Sequence, residues 1–311
     1  MTRGRVQSSD QLQTILRRID GKGYKAYRDI EGTYDFKDYV LHVDHVQADP
    51  FASPSRVRVE VAQSSARFPA DAFSSGSREI ALRDFLTRKF CLAAHRHSKG
   101  SRGTGASGRI SMDRPKQEIL ERTSVFVTED MVEARLVMGL PAFGRSVAAK
   151  HAIDMFFAEL PQIVRASLFF DSLDRDQLYT HILVVEDADS LRARLDDLGL
   201  VAFVADGAIL PRASGIDPRP LTTGTVVPFQ SPEALRVTVD LPNSGSISGM
   251  GIPEGITVIV GGGYHGKSTL LRALEMGIYN HIPGDGREFV VSNPSTMKIR
   301  AEDGRGIEKV D

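Results

Sequence analysis

GITVIVGGGYHGKSTLLRALEMGIY (255–279) decides how the second half of this chain is read. GITVIV (255–260) is a continuous apolar run of strand length and predicts a short buried strand. KSTLLRALEMGIY (267–279) predicts a helix. Between them, Gly261, Gly266, Lys267 and Ser268 fill the fixed positions of G-x-x-x-x-G-K-S. The chemistry behind that spacing is polyphosphate binding, which needs several N–H donors converging on one spot. Glycines let the backbone turn sharply and approach closely because no Cβ intrudes. A helix N-terminus behind the loop adds unpaired amides and a favourable dipole. On this reading Gly261, Gly262, Gly263 and Gly266 form the cradle, and the Lys267 ammonium lies against the β- and γ-phosphates. The Ser268 hydroxyl faces Mg²⁺ carried with the nucleotide, and Thr269 makes a second phosphate contact nearer the α-phosphate. The expected ligand is ATP, or GTP on the same chemistry, with Mg²⁺.

Composition sets the frame around this loop. The chain has 311 residues, 41% hydrophobic and 25% charged, which is ordinary for a globular protein of about two domains. A net charge of −1 supplies no global field toward nucleic acid or anionic lipid, so any such binding needs a local patch. The single cysteine, Cys91, excludes an internal disulfide and suits a reducing compartment. MTRGRVQSSDQLQTIL (1–16) lacks the apolar core of a secretion signal, and no run approaches the roughly 20 apolar residues of a membrane span. A soluble, cytoplasmic protein is expected, and these features do not speak against a mitochondrial or nuclear address.

Upstream of the loop the pattern is mixed. SDQLQTILRRI (9–19) spaces Leu12, Ile15, Leu16 and Ile19 as a helix, and REIALRDFLTRKFCLAAHR (78–96) is a longer one. YVLHVDHVQ (39–47) and RVRVEVAQ (56–63) alternate, the second with Val57, Val59 and Val61 on one face and Arg56, Arg58 and Glu60 on the other. TSVFVTE (123–129) and VEARLVMGL (132–140) predict two strands paired across a short turn. The residues AAKHAIDMFFAELPQIVRASLFF (148–170) predict a helix interrupted at Pro161. DSLRARLDDLG (189–199) predicts a helix ending on a glycine, and LVAFVAD (200–206) a buried strand. ILPRASGIDPRPLTTGTVVPFQSP (209–232) is dense in Pro, Gly, Ser and Thr and reads as the linker. LRVTVDL (235–241), EFVVS (288–292) and MKIRAED (297–303) predict further strands. The resulting expectation is an α+β N-terminal domain over 1–220 and the N-terminal part of an α/β P-loop domain over 221–311.

One other region carries charge. HSKGSRGTGASGR (97–109) reads as a mobile basic loop. Arg96, Lys99, Arg102 and Arg109 are candidate RNA-phosphate contacts, although no aromatic residue accompanies them for base stacking. A solvated surface loop is the alternative. His42, His45, His95, His97 and Cys91 lack the paired spacing of a zinc site.

The stretch GIPEGITVIVGGGYHGKSTLLRAL (251–274) resembles the ATP-binding-cassette superfamily. The chain is more closely similar to one soluble branch, the predicted ATPases of the ABC class. The similarity is carried by GKGYKAYRDIEGTYDF (21–36), HVDHVQADPFASPSRVRV (42–59), VEARLVMGLPAFGR (132–145), GLVAFVADGAILPRASG (199–215), the loop itself and YNHIPGDGREFVV (279–291). That resemblance implies ATP and Mg²⁺ binding, hydrolysis in the complete family protein, and a non-transporter N-terminal domain. It also implies a site completed by homodimerisation of the full-length protein, with RNA suspected as a partner of some members. Two departures from the cassette pattern stand out. Tyr264 and His265 occupy positions where cassettes carry glycine and a small polar residue. No glutamine loop, signature, Walker B carboxylates or switch histidine is read in 269–311, and Glu302 and Asp303 do not follow an apolar run. The sequence therefore leads one to expect a chain that stops inside the nucleotide domain. The second functional reading is an RNA-binding module with a regulatory or vestigial nucleotide site.

Overall fold

The computed structural model describes residues 6–263 and 265–299. They fall into two compact units, Met1–Pro115 with Leu120–Ile182, and Lys116–Ile119 with Leu183–Asp311. Tyr264, Glu302 and Asp303 lie outside the described residues. So does most of the strand expected over 297–303, and residues 297–299 of it form no strand.

The first unit is built on the strand Ser55–Ala62, whose alternation is observed as expected: Val57, Val59 and Val61 are buried. It pairs antiparallel with Val40–His45 on one side and along its full length with Met131–Met138 on the other. Gly32–Asp35 and then Gln7–Ser8 extend one edge, the last step being parallel. Ile110–Ser111 and Val125–Val127 both pair with Met131–Met138. On the wetter face Arg58 joins three strands, donating to Asp44, Glu60 and Glu133 at 2.7–3.1 Å.

The apolar face lies under helices. Gly76–His97 starts at Ser75, whose hydroxyl accepts from the Arg78 amide, and buries Leu82, Leu86 and Phe90. The expected break at Pro161 takes a specific form. Ala149–Asp154 widens into a π-helical turn over Met155–Glu159 before Leu160–Leu168 resumes as α-helix. A proline ring cannot follow a normal α-turn without striking the carbonyl four residues back, and the wider turn relieves that contact. Tyr24 and Tyr27 donate to the carbonyls of Leu140 and Pro141, and burial pushes both phenols well above their ordinary range.

The second unit carries a separate antiparallel sheet in the order Arg236–Leu241, Gly245–Pro253, Leu200–Ala205, Val290–Ser292. Leu200–Ala205 is thus an inner strand of this sheet. Ala188, Leu191 and Leu195 cover one face against Phe203, Val239 and Val291. Ala273, Leu270 and Leu274 cover the other against Ala202, Val204, Met250 and Val290. Burying a side chain such as Phe203 contributes about 1.5–3 kcal/mol, so these two layers fix the sheet between helices.

The stretch read as a linker, 209–232, lies within the second unit and is pinned there. Ile209 donates to the Gly286 carbonyl and Phe229 to that of Ala208, both at 2.8 Å. A fully buried Asp187 closes the turn between the first two strands by accepting from the amides of Asn243 and Ser244. Among the described residues, no helix is long and apolar enough to cross a membrane.

Candidate nucleotide-binding loop

The loop is set by the helix on its C-terminal side. Lys267–Met276 begins immediately after Gly266, which sits in the left-handed region at φ 83°. An L-residue is strained there, so glycine is required by the backbone itself. The far end of the helix is fastened to the sheet. Ser292 donates its hydroxyl to the Leu274 carbonyl at 2.7 Å and its amide to the Gly277 carbonyl at 3.0 Å. A Cβ on Gly277 would fall 2.7 Å from that hydroxyl, so only glycine lets the helix end come this close. Arg192 donates to the same Gly277 carbonyl. The helix is therefore held at its C-terminus and presents its N-terminus to solvent.

At that N-terminus the Lys267 ammonium folds back over the loop and donates to the carbonyls of Gly261, at 2.6 Å, and Gly262. A Cβ on Gly263 or Gly266 would meet nothing within 4 Å. Space is therefore open above the loop backbone on this side. Ser268 is exposed in the first helical turn, and Thr269 is half-buried beside it. One cation, two glycines with open space at the Cβ position and a hydroxyl in the first helical turn suit a phosphate chain with its metal ion. The structure places all seven residues named from the sequence, Gly261, Gly262, Gly263, Gly266, Lys267, Ser268 and Thr269, in this one loop and turn.

The segment leading into the loop departs from expectation. Residues 255–260 form no strand, and Ile256, Val258 and Val260 are exposed, Ile256 almost completely. The chain leaves the sheet where Glu254 donates to the Gly199 carbonyl. No described strand pairs with residues 255–260. An apolar run forms a strand only where a neighbour takes its backbone hydrogen bonds and covers its side chains.

The basic loop departs further. It is not a mobile strand of cations. Thr104 donates to the Ala142 carbonyl, Ala106 to that of Pro50 and Gly108 to that of Gly139, at 2.8–2.9 Å. Arg102 is buried against the buried carboxylate of Glu159. Lys99 pairs with Asp154, and Arg109 donates to Ser111. Arg96 is exposed at the end of the helix Gly76–His97. Three of the four candidate RNA contacts are thus engaged within the first unit.

Sequence reading missed a buried polar knot beside the nucleotide helix. His281 Nδ1 lies 2.8 Å from Asp285, whose other oxygen accepts from Arg212 at 2.8 Å, while Arg287 donates to the Leu210 carbonyl. Burial, with the Arg212 charge nearby, pushes Arg287 down to about 10. The signal was present in YNHIPGDGRE and ILPR, but nothing in either stretch alone says that they meet.

Comparison with known proteins places the chain in a family. Residues 9–171 match the family model described as the N-terminal part of ATPases of the ABC class, and residues 174–311 match the corresponding P-loop domain. The chain belongs to the ABC-class ATPase family. An uncharacterized protein of Methanocaldococcus jannaschii is 35% identical over 114 residues, covering 35% of this chain and 25% of that protein. The match therefore spans about a quarter of that relative's length. Within the family frame the first unit corresponds to the N-terminal domain, and the loop 261–269 falls in the P-loop domain.

Proposed function

We propose that this chain binds ATP as its Mg²⁺ complex in the loop 261–269, and that the complete family protein hydrolyses it. The observation that carries the reading is the Lys267 ammonium lying over the carbonyls of Gly261 and Gly262, in the same loop as Gly263 and Gly266, whose Cβ positions are open. A triphosphate entering there exchanges those carbonyl contacts for stronger ones to phosphate oxygens, in which donor and acceptor are both charged. The amides of the loop and of the first turn of Lys267–Met276 then face the β-phosphate. Ser268 Oγ is the side chain that would hold Mg²⁺, which neutralises phosphate charge when bound. Thr269 supplies a second hydroxyl toward the α-phosphate. Exposure of the site fits completion by a second copy in the full-length protein.

Titration of a fluorescent ATP analogue with Mg²⁺ tests this. Saturable binding is expected, weakened about a hundredfold in Lys267→Ala, in line with losing charged hydrogen bonds. Binding of equal strength in the two proteins would remove the reading.

A further inference from the structure

The glycines of the loop are not alike. Gly266 is held in the left-handed region, and Gly263 faces open space. Gly262 is different from both. Its backbone lies outside the left-handed region, so an L-residue is conformationally allowed there. Yet a Cβ at this position would fall 3.0 Å from Cε1 and 3.3 Å from Nδ1 of His265. The imidazole therefore lies against the Cα of Gly262, while the carbonyl of the same residue takes the Lys267 ammonium.

Three consecutive glycines have large conformational freedom, and ordering them opposes ligand binding. A ring seated on the middle one limits that freedom before the ligand arrives. We propose that His265 is a positioning residue of the phosphate cradle, its imidazole packing on Gly262, and that position 262 is glycine in order to seat that ring. The role is one of packing: the ring acts through the Gly262 backbone and not by touching phosphate. This rests on the reading of 261–269 as an ATP cradle.

The test is a double-mutant cycle on the whole chain, read as affinity for a fluorescent ATP analogue with Mg²⁺. Gly262→Ala unseats the ring and His265→Ala removes it, so each weakens binding by about threefold to tenfold. The double variant is weakened by the same factor as either single one, not by their product, because both changes break one contact. His265→Phe keeps a flat ring on Gly262 and stays within about twofold of the parent. Multiplying factors, or parental affinity in both single variants, overturns the proposal. A His265→Phe variant as weak as His265→Ala also overturns it, since the nitrogens would then be what matters.

A second measurement is independent of nucleotide. In protein carrying ¹³C-labelled histidine, the His265 ring signal is identified by its loss in His265→Ala. Gly262→Ala moves that signal if the ring is seated on residue 262, and an unmoved signal refutes the seat. Should the parent show no Lys267-dependent ATP binding, the proposed function fails while the ring signal still decides the contact.

Discussion

Two glycine-rich, basic loops in this chain use glycine for opposite purposes. In 98–109 three of the four glycines are where other backbone arrives. A Cβ on Gly103 would fall 2.3 Å from the Ala142 carbonyl oxygen, one on Gly105 2.2 Å from that of Pro50, and one on Gly108 2.2 Å from that of Gly100. The amide of Gly108 and those of the neighbouring Arg102, Thr104, Ala106 and Ser107 are spent on internal partners. In 261–268, Gly263 and Gly266 have, among the described residues and apart from their chain neighbours, no atom within 4 Å of a Cβ. The first loop uses three of its glycines for packing, and on the function proposed above the second keeps Gly263 open for a ligand. Composition alone cannot tell these cases apart.

The largest effect that could break this contrast concerns Gly139, which faces the first loop. A Cβ there would lie 1.8 Å from the Ala106 carbonyl oxygen, on a strand end also laced to the loop by Gly108 donating to the Gly139 carbonyl. Gly139→Ala is expected to cost about 4 kcal/mol or more in urea unfolding, the range reserved for core disruption. Unfolding at the parental midpoint would mean that the first loop is not fitted after all.

Next in size is Arg102→Ala. The Arg102 side chain is 9% exposed and that of its partner Glu159 3%, so removing it leaves a buried carboxylate without its cation. A loss of about 3 kcal/mol is expected, because breaking one side of a buried pair costs more than the pair contributes. Arg96→Ala, on an exposed side chain of the neighbouring helix, is expected to stay within about 0.5 kcal/mol. Equal effects of the two would show that the loop's cations are interchangeable surface charges.

The same distinction explains what was legible in the sequence. Local periodicity was enough for Ser9–Ile19, for Ser55–Ala62 with its valine face, and for the helix Lys267–Met276 behind its G-x-x-x-x-G-K-S. Each of these is specified by residues within a few positions of one another. What failed needed distant partners. The fit of 98–109 depends on Pro50, Gly139 and Ala142, and GITVIV depends on a neighbouring strand that no described residue supplies. Leu200–Ala205 was legible as a buried strand, but its place inside the second sheet came from pairing with Gly245–Pro253 and Val290–Ser292. The residues of the proposed site could be named because a phosphate cradle is a local motif. The ring of His265 on Gly262 was not, because side-chain direction within a loop leaves no periodic trace.

The smallest expected effect is the sharpest test of the contrast. Gly263 has no left-handed backbone and, among the described residues apart from its chain neighbours, nothing within 4 Å of a Cβ, so alanine there is expected to meet neither strain nor a packed neighbour. Gly263→Ala is expected to change unfolding by less than about 0.5 kcal/mol. If the position is kept open for a ligand, the same variant is weakened in another measurement, the stabilisation by ATP and Mg²⁺. A ligand at a hundred times its dissociation constant raises stability by about 2.7 kcal/mol, and a Cβ intruding on the cradle reduces that increment. A variant unchanged without nucleotide and less stabilised with it places the glycine's purpose in the ligand. A variant destabilised by more than about 1 kcal/mol without nucleotide places it in packing, and the two loops would then be of one kind.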